Sequence, residues 1–256
     1  MRKGFTTLLL TISLLWLPPP LRAQQPPEAP REAAFLFAYL PKEGMEALFR
    51  QGYRRHLEWH REKNDPLVWY GWTVVTGERI GQFIDGTFGL AFADFDRRVE
   101  PAADRADFAQ TTAPFANPVY RRAYRLRTQL STASPLEERE PPPMIAAIHV
   151  RVRPGKEEVF EEALRRLRAR LQESSDPSPY TWYQLINGGE HPSYLWMIPV
   201  FGFASLETSP VTLADLVSHA LPPDRAAALQ ASLAQAVHGS VSEIWLYQPD
   251  LTYLRE

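Results

Sequence analysis

The sequence predicts an α+β fold made of two ferredoxin-like units in tandem. Three observations carry this. The order strand, helix, strand, strand, helix, strand can be read twice along the chain, which is the split β-α-β pattern. Gly44, Asp65 and Gly77 recur 111 residues later as Gly155, Asp176 and Gly188. Between the two runs, residues 131–143 hold a cluster of acids and the triple proline Pro141-Pro142-Pro143, the composition of a linker.

The chain opens on an expected export signal at 1–23: Arg2 and Lys3, an apolar run from Phe5 to Leu17, and a cleavage site at Leu21-Arg22-Ala23. That run is too short to persist as a membrane anchor. Residues 24–32 form a Pro-rich spacer. The first unit is expected over 33–130. Ala33 to Leu40 has strand length and stops at Pro41. Met45 to Glu62 has helical spacing, with Phe49, Tyr53, His56 and His60 on one face and Asn64-Asp65-Pro66 as its stop. Val68–Thr76 and Gln82–Phe92 are aromatic and β-branched runs around a glycine turn and read as a hairpin. Asp94 is placed to cap an irregular helix reaching about Ala116, and Pro118–Gln129 reads as the closing strand.

The second unit, 144–256, follows the same order. Met144–Val152 is a strand, Gly155–Glu173 a helix, and Tyr180–Asn187 with Ser193–Val200 a hairpin. Val211–Ala220 and Pro222–Val237 are helices, and Val241–Tyr247 is the last strand. From residue 44 to 96 the halves align without a gap, and 11 of those 53 positions are identical. Average composition would give about 3. Beyond that stretch Asp104-Arg105-Ala106 aligns with Asp224-Arg225-Ala226 at an offset of 120, so the second half carries extra residues. This pattern reads as a tandem duplication.

The segment Val152-Arg153-Pro154-Gly155-Lys156, with Phe160 and then Phe203-Ala204-Ser205 after an aromatic hairpin, resembles the dimeric α/β-barrel superfamily of antibiotic-biosynthesis monooxygenase-like and NIPSNAP-like domains. In the first half Leu40-Pro41-Lys42-Glu43-Gly44 departs from that pattern. The resemblance implies two four-stranded sheets closed into one intrachain barrel with helices outside, and either a monomer with a pseudo-dimeric fold or a homodimer. It also implies a range of activities: cofactor-independent oxygenation, haem binding, haem degradation, or none. The Asn, Trp and His set of haem-degrading members has no match at motif level, and fold alone does not license a function.

Composition narrows the classes. Zero cysteines exclude thiol chemistry, iron–sulfur clusters and Cys-ligated zinc. A net charge of -2 with balanced acids and bases leaves no footprint for nucleic acid. There is no phosphate-cradling glycine loop or dinucleotide fingerprint, and Ser240 lacks a nucleophile elbow.

Departures between the halves locate a candidate site. His56 and His60 align with Leu167 and Leu171, members of an apolar stripe that should face the sheet. Two imidazoles four residues apart on a helix can hold one metal or flank one ligand. Asp85, whose counterpart is Trp196, lies in an otherwise apolar strand and offers a carboxylate as third metal ligand or polar contact; His56, His60 and Asp85 are the catalytic candidates, a histidine serving as ligand or general base in an enzyme. Trp59, Trp69, Trp72 and Phe83 would supply stacking walls. Arg125, in the run Arg121, Arg122, Arg125 and Arg127, would meet an anionic group. Each has a plain alternative: histidines near a helix end, partly exposed and hydrogen-bonded to backbone or to Asp65 and Glu62, Asp85 in a turn or bulge beside Gly86, aromatics as ordinary core, and the arginines as a charged strand edge.

The readings that follow are a periplasmic or secreted protein binding a small apolar or aromatic ligand in the first half, an oxygenase-type enzyme on the same scaffold with haem or no cofactor, and a partner-binding module.

Overall fold

A computed structural model describes residues 29–133, 140–173, 179–208 and 211–255. The expected export signal, most of the spacer, part of the linker and Asp176 lie outside the described residues.

The strands are β1 (Ala33–Pro41), β2 (Tyr70–Val74), β3 (Phe83–Leu90), β4 (Ala116–Leu126), β5 (Met144–Val152), β6 (Thr181–Asn187), β7 (Ser193–Val200) and β8 (Val237–Tyr247). Helix α1 (Glu46–Glu62) follows β1, while α2 (Phe92–Asp96) and α3 (Pro101–Thr111) lie between β3 and β4. Helix α4 (Glu157–Glu173) follows β5, while α5 (Leu213–Ala220) and α6 (Pro223–Ala236) lie between β7 and β8.

All eight strands close into an antiparallel barrel in the order β1-β3-β2-β8-β5-β7-β6-β4. Two seams join the first-half strands to those of the second: Trp72, Thr73 and Val74 of β2 face β8, and Ala123 to Leu126 of β4 face β6. The barrel interior is filled from both sides of these seams, with Trp72 5.8 Å from Trp245 and Phe88 5.5 Å from Tyr183 between ring centres. Two further apolar layers lie outside. One packs α4–α6 on the second-half strands through Phe160, Leu164, Leu167 and Leu171 of α4, Leu216 and Val217 of α5, and Leu229 and Leu233 of α6. The other packs α1 on the first-half strands through Phe49, Tyr53, Leu57, Trp69 and Phe83. Among the described residues no helix is long and apolar enough to cross a membrane.

Several local expectations change. β3 ends at Leu90 and Phe92 already opens α2, where Asp94 accepts from the Ala91 N–H at 3.0 Å from inside the helix instead of preceding it. β8 begins at Val237, four residues earlier than the apolar run, because His238, Gly239 and Ser240 pair with β5 without an apolar pattern to reveal it. β4 is not an edge: it pairs with β1 and β6, so its arginines alternate between faces of a closed sheet. Asp85 sits in regular pairing with Phe37 and Gly71, not in a bulge.

Helix α1 crosses α3 at Gly52, where an added Cβ would lie 1.9 Å from the Thr111 carbonyl oxygen. The chain after β8 returns to the first half, where Trp69 and Tyr253 form a bridge and the Tyr253 hydroxyl donates to the Asp65 carbonyl at 2.9 Å.

Candidate functional site

The stripe Gly52, Tyr53, His56, His60 on α1 faces α3 and the outer surface of β1–β3. His56 and His60 are 5% and 3% exposed. Helix α3 runs alongside with Asp104, Asp107 and Thr111 at helical spacing, so each turn of α1 meets an acid or a carbonyl of α3.

Each imidazole is held by a carboxylate at Nδ1: His56 by Asp107 and His60 by Asp65, both at 2.7 Å. Asp65 also accepts from the Trp69 indole N–H and the Leu67 amide, each at 3.0 Å. Burial alone would raise the Asp65 pKa, but these hydrogen bonds together hold it below the ordinary value. A carboxylate accepting at Nδ1 places the ring proton there and leaves Nε2 as a bare lone pair. Burial pushes the His56 pKa down against the pull of Asp107 and Asp104, which favours this neutral form. The two Nε2 atoms stand 3.2 Å apart. Asp104 Oδ1 is 3.4 Å from His56 Nε2 and 3.9 Å from His60 Nε2. Two nitrogens and one carboxylate oxygen thus converge, a group able to hold a metal ion.

Beside them is a cavity of about 370 Å³. Its aromatic walls include Phe37, Tyr39, Tyr53, Trp69 and Phe108, and its polar groups include Asp85, Arg98 and Arg121. The Tyr53 hydroxyl donates to Asp85 Oδ2 at 2.9 Å, while buried Oδ1 has no partner. Burial raises the Asp85 pKa to about 7, with the Tyr53 hydrogen bond opposing, Asp104 adding to the rise and Arg121 reducing it. Arg98 approaches Asp104 Oδ2 at 3.5 Å, and Arg121 lies over the Phe37 ring.

The sequence-predicted residues therefore divide. His56, His60, Asp85 and Trp69 line this one cavity. Asp85 is outside the converging trio, whose carboxylate comes from Asp104. Phe83 lies behind Tyr53, 4.7 Å between ring centres, and supports the cavity without lining it. Trp59 is half-buried and stacks on His56 at 6.2 Å, outside the lining. Trp72 points into the barrel, because alternation along β2 sends it to the face opposite Trp69. Arg125 is exposed over Phe92, and its neighbour on the same face of β4, Arg121, stands at the cavity instead. Sequence reasoning missed Asp104, Asp107 and Tyr53 as site residues, while Asp65, a helix stop and an expected hydrogen-bond partner of the histidines in their plain reading, does bind His60. The available signal was the spacing of Asp104 and Asp107, which share one face of a short helix.

Haem, raised by the family resemblance, does not fit these donors. An axial imidazole must open onto a planar ring. Here each Nε2 is closed against the other histidine at 3.2 Å, with Asp104 on a third side.

No protein-family model matches the chain, and no curated protein matches its sequence. Solved structures do match its fold. A candidate monooxygenase from Lactobacillus acidophilus NCFM is 12% identical with a TM-score of 0.53, over 88% of this chain and 97% of that one. An anthrone oxidase-like protein is 11% identical with a TM-score of 0.50, over 85% and 92%. Chlorite dismutase from Candidatus Nitrospira defluvii, in complex with imidazole, is 8% identical with a TM-score of 0.51, over 86% and 92%. At these identities the likeness is one of fold: the closed eight-strand barrel with helices outside is similar to the fold of these proteins.

Proposed function

We propose that this chain is an oxygenase-type enzyme that binds a small phenolic or enolisable aromatic molecule in the first-half cavity and takes a proton from it with Asp85. The observation that carries this reading is the unpartnered, buried Oδ1 of Asp85 at the wall of an aromatic cavity. A carboxyl with a pKa of about 7 divides between acid and base at neutral pH, which suits a general base. The Tyr53 hydroxyl anchors the other oxygen, so Oδ1 is the atom that meets the substrate. A binder that leaves its ligand unchanged would use the same contacts without turnover. The likeness to a candidate monooxygenase and to an anthrone oxidase-like protein supports the oxidative class.

The test uses 1-naphthol as the probe for binding and anthrone for turnover. Naphthol should quench the fluorescence of Trp69 saturably, and Asp85→Asn should weaken binding about tenfold or more, the worth of a hydrogen bond to a charged acceptor. Oxygen uptake with anthrone should be lost in the same variant. Equal naphthol affinity in the wild type and Asp85→Asn overturns the reading.

We infer further that the two halves descend from one duplicated unit, a view supported by the ungapped offset of 111 residues and by the matching strand orders β4-β1-β3-β2 and β8-β5-β7-β6. We also propose export to the periplasm or outside the cell, supported by Arg2, Lys3 and the apolar run Phe5–Leu17. The mass of the protein recovered from a periplasmic fraction should correspond to a chain starting at Gln24; a full-length mass from the cytoplasm alone rules this out.

A further inference from the structure

We propose that His56 Nε2, His60 Nε2 and Asp104 Oδ1 bind one divalent first-row transition-metal ion, whose remaining coordination positions open onto the aromatic cavity. This names the cofactor of the site proposed above. It rests on that reading only for what the open positions face, since metal binding stands without it.

Geometry is the first argument. Two ligand atoms about 2.0–2.1 Å from a tetrahedral ion lie about 3.3 Å apart. The nitrogen pair is at 3.2 Å, and the Asp104 oxygen is 3.4 Å from one nitrogen and 3.9 Å from the other. A small rotation of the Asp104 side chain closes the longer side. The acid comes from α3 and both imidazoles from α1, and the two helices are locked together at Gly52.

The second argument is the proton inventory. Asp107 and Asp65 accept at the two Nδ1 atoms, which turns both Nε2 lone pairs toward each other in a buried place. Two lone pairs and a carboxylate oxygen facing one another repel unless a cation lies among them. A proton shared between the rings would satisfy the two nitrogens but not Asp104 Oδ1, and the Arg98 guanidinium is drawn to the far oxygen of Asp104, Oδ2, at 3.5 Å. A metal ion satisfies all three atoms at once. Carboxylates at the outer nitrogen are also what metal-ligating histidines ordinarily carry, because they fix the tautomer and raise ligand basicity.

The third argument comes from the other half. Leu167 and Leu171 occupy the matching positions on α4 and are fully buried there. Leucines fill this layer, so packing alone does not call for two imidazoles. Two nitrogens with one oxygen and no sulfur select zinc, iron, manganese or cobalt over calcium and magnesium. The charged groups around the trio are Asp65, Asp85, Asp104 and Asp107 with Arg98, Arg105 and Arg121.

The experiment titrates Zn(II) and Co(II) into the full chain after dialysis against chelator. The expected result is one equivalent bound, with visible cobalt d–d absorption of a site of low coordination number. His56→Leu/His60→Leu, which installs the residues of the other half, should keep the fold by circular dichroism and lose binding at least 100-fold. Asp104→Asn should also weaken binding. Asp107→Asn, an outer carboxylate, should cost about 10–100-fold. Folded wild-type protein that binds neither ion, or binding unchanged in the double histidine variant, overturns the inference. Naphthol binding without metal binding would leave the cavity reading intact and sink the metal, and the converse result would sink the cavity reading alone.

Discussion

Asp85→Asn should make the metal-free protein more stable at pH 8 by about 4 kcal/mol. Burial raises the Asp85 pKa from 3.8 to about 7. That is about three units at about 1.36 kcal/mol each. A folded-state pKa above the unfolded one gives stability that is complete below the unfolded value and lost as pH rises through the folded value. The wild type should therefore lose stability between about pH 4 and pH 7, and the loss should level off above that range. Asparagine keeps an acceptor for the Tyr53 hydroxyl and carries no charge, so it escapes this loss. His56 and His149, both pushed down by burial, act with the opposite sign, but they are present in both proteins and cancel in the difference. Urea denaturation of both chains at pH 4.5, 6 and 8 checks the result. A gap that does not widen with pH would show that Asp85 is not the buried, perturbed acid described here. The same substitution is expected to abolish turnover, a trade of stability for function common at active sites.

Gly52→Ala should destabilise the fold by about 3 kcal/mol and weaken Zn(II) binding with it. Alanine in a helix interior is ordinarily worth about 1 kcal/mol over glycine. Here the new methyl would sit 1.9 Å from the Thr111 carbonyl oxygen, whereas ordinary contact begins near 3.4 Å. Backbone cannot yield as a side chain can, so α3 must move away by more than an ångström. Asp107 and Asp104 move with it and leave His56, and the steric cost outweighs the propensity gain. Denaturation midpoints and zinc titration check both effects. A variant as stable as the wild type would mean that the helices are not locked at this crossing.

The order of strands and helices was legible because turn residues punctuate it in both runs, with Gly44 and Gly77 answered by Gly155 and Gly188. His56 and His60 stood out by the same comparison, because the aligned positions 167 and 171 are leucines. The faces of the strands were not. In a closed barrel wrapped by helices both faces of β2 are buried, so apolar–polar alternation disappears and Trp69 cannot be told from Trp72. Asp104 escaped notice because its distance from His56 along the chain hides an approach set by helix packing at Gly52. Asp104-Arg105-Ala106 moreover recurs in the other half, which made it look like punctuation. Asp65 was legible as a partner of the histidines because it follows the helix end within reach of His60. The polar start of β8 has no sequence pattern, since its partner β5 supplies the order.

The closed ring of strands has a consequence for how the halves hold together. Trp72 leans on Trp245 and Phe88 on Tyr183, so each half finishes its interior only against the other. Parting them opens both seams at once and bares four strand edges. The two halves thus depend on each other as the subunits of a dimer do, and the segment joining Leu130 to Met144, besides the hydrogen bonds that Ser131 and Thr132 accept from Trp182 and Tyr180, sets the effective concentration at which they meet. Cutting that segment would turn a unimolecular equilibrium into a bimolecular one, in which survival depends on how much protein is present.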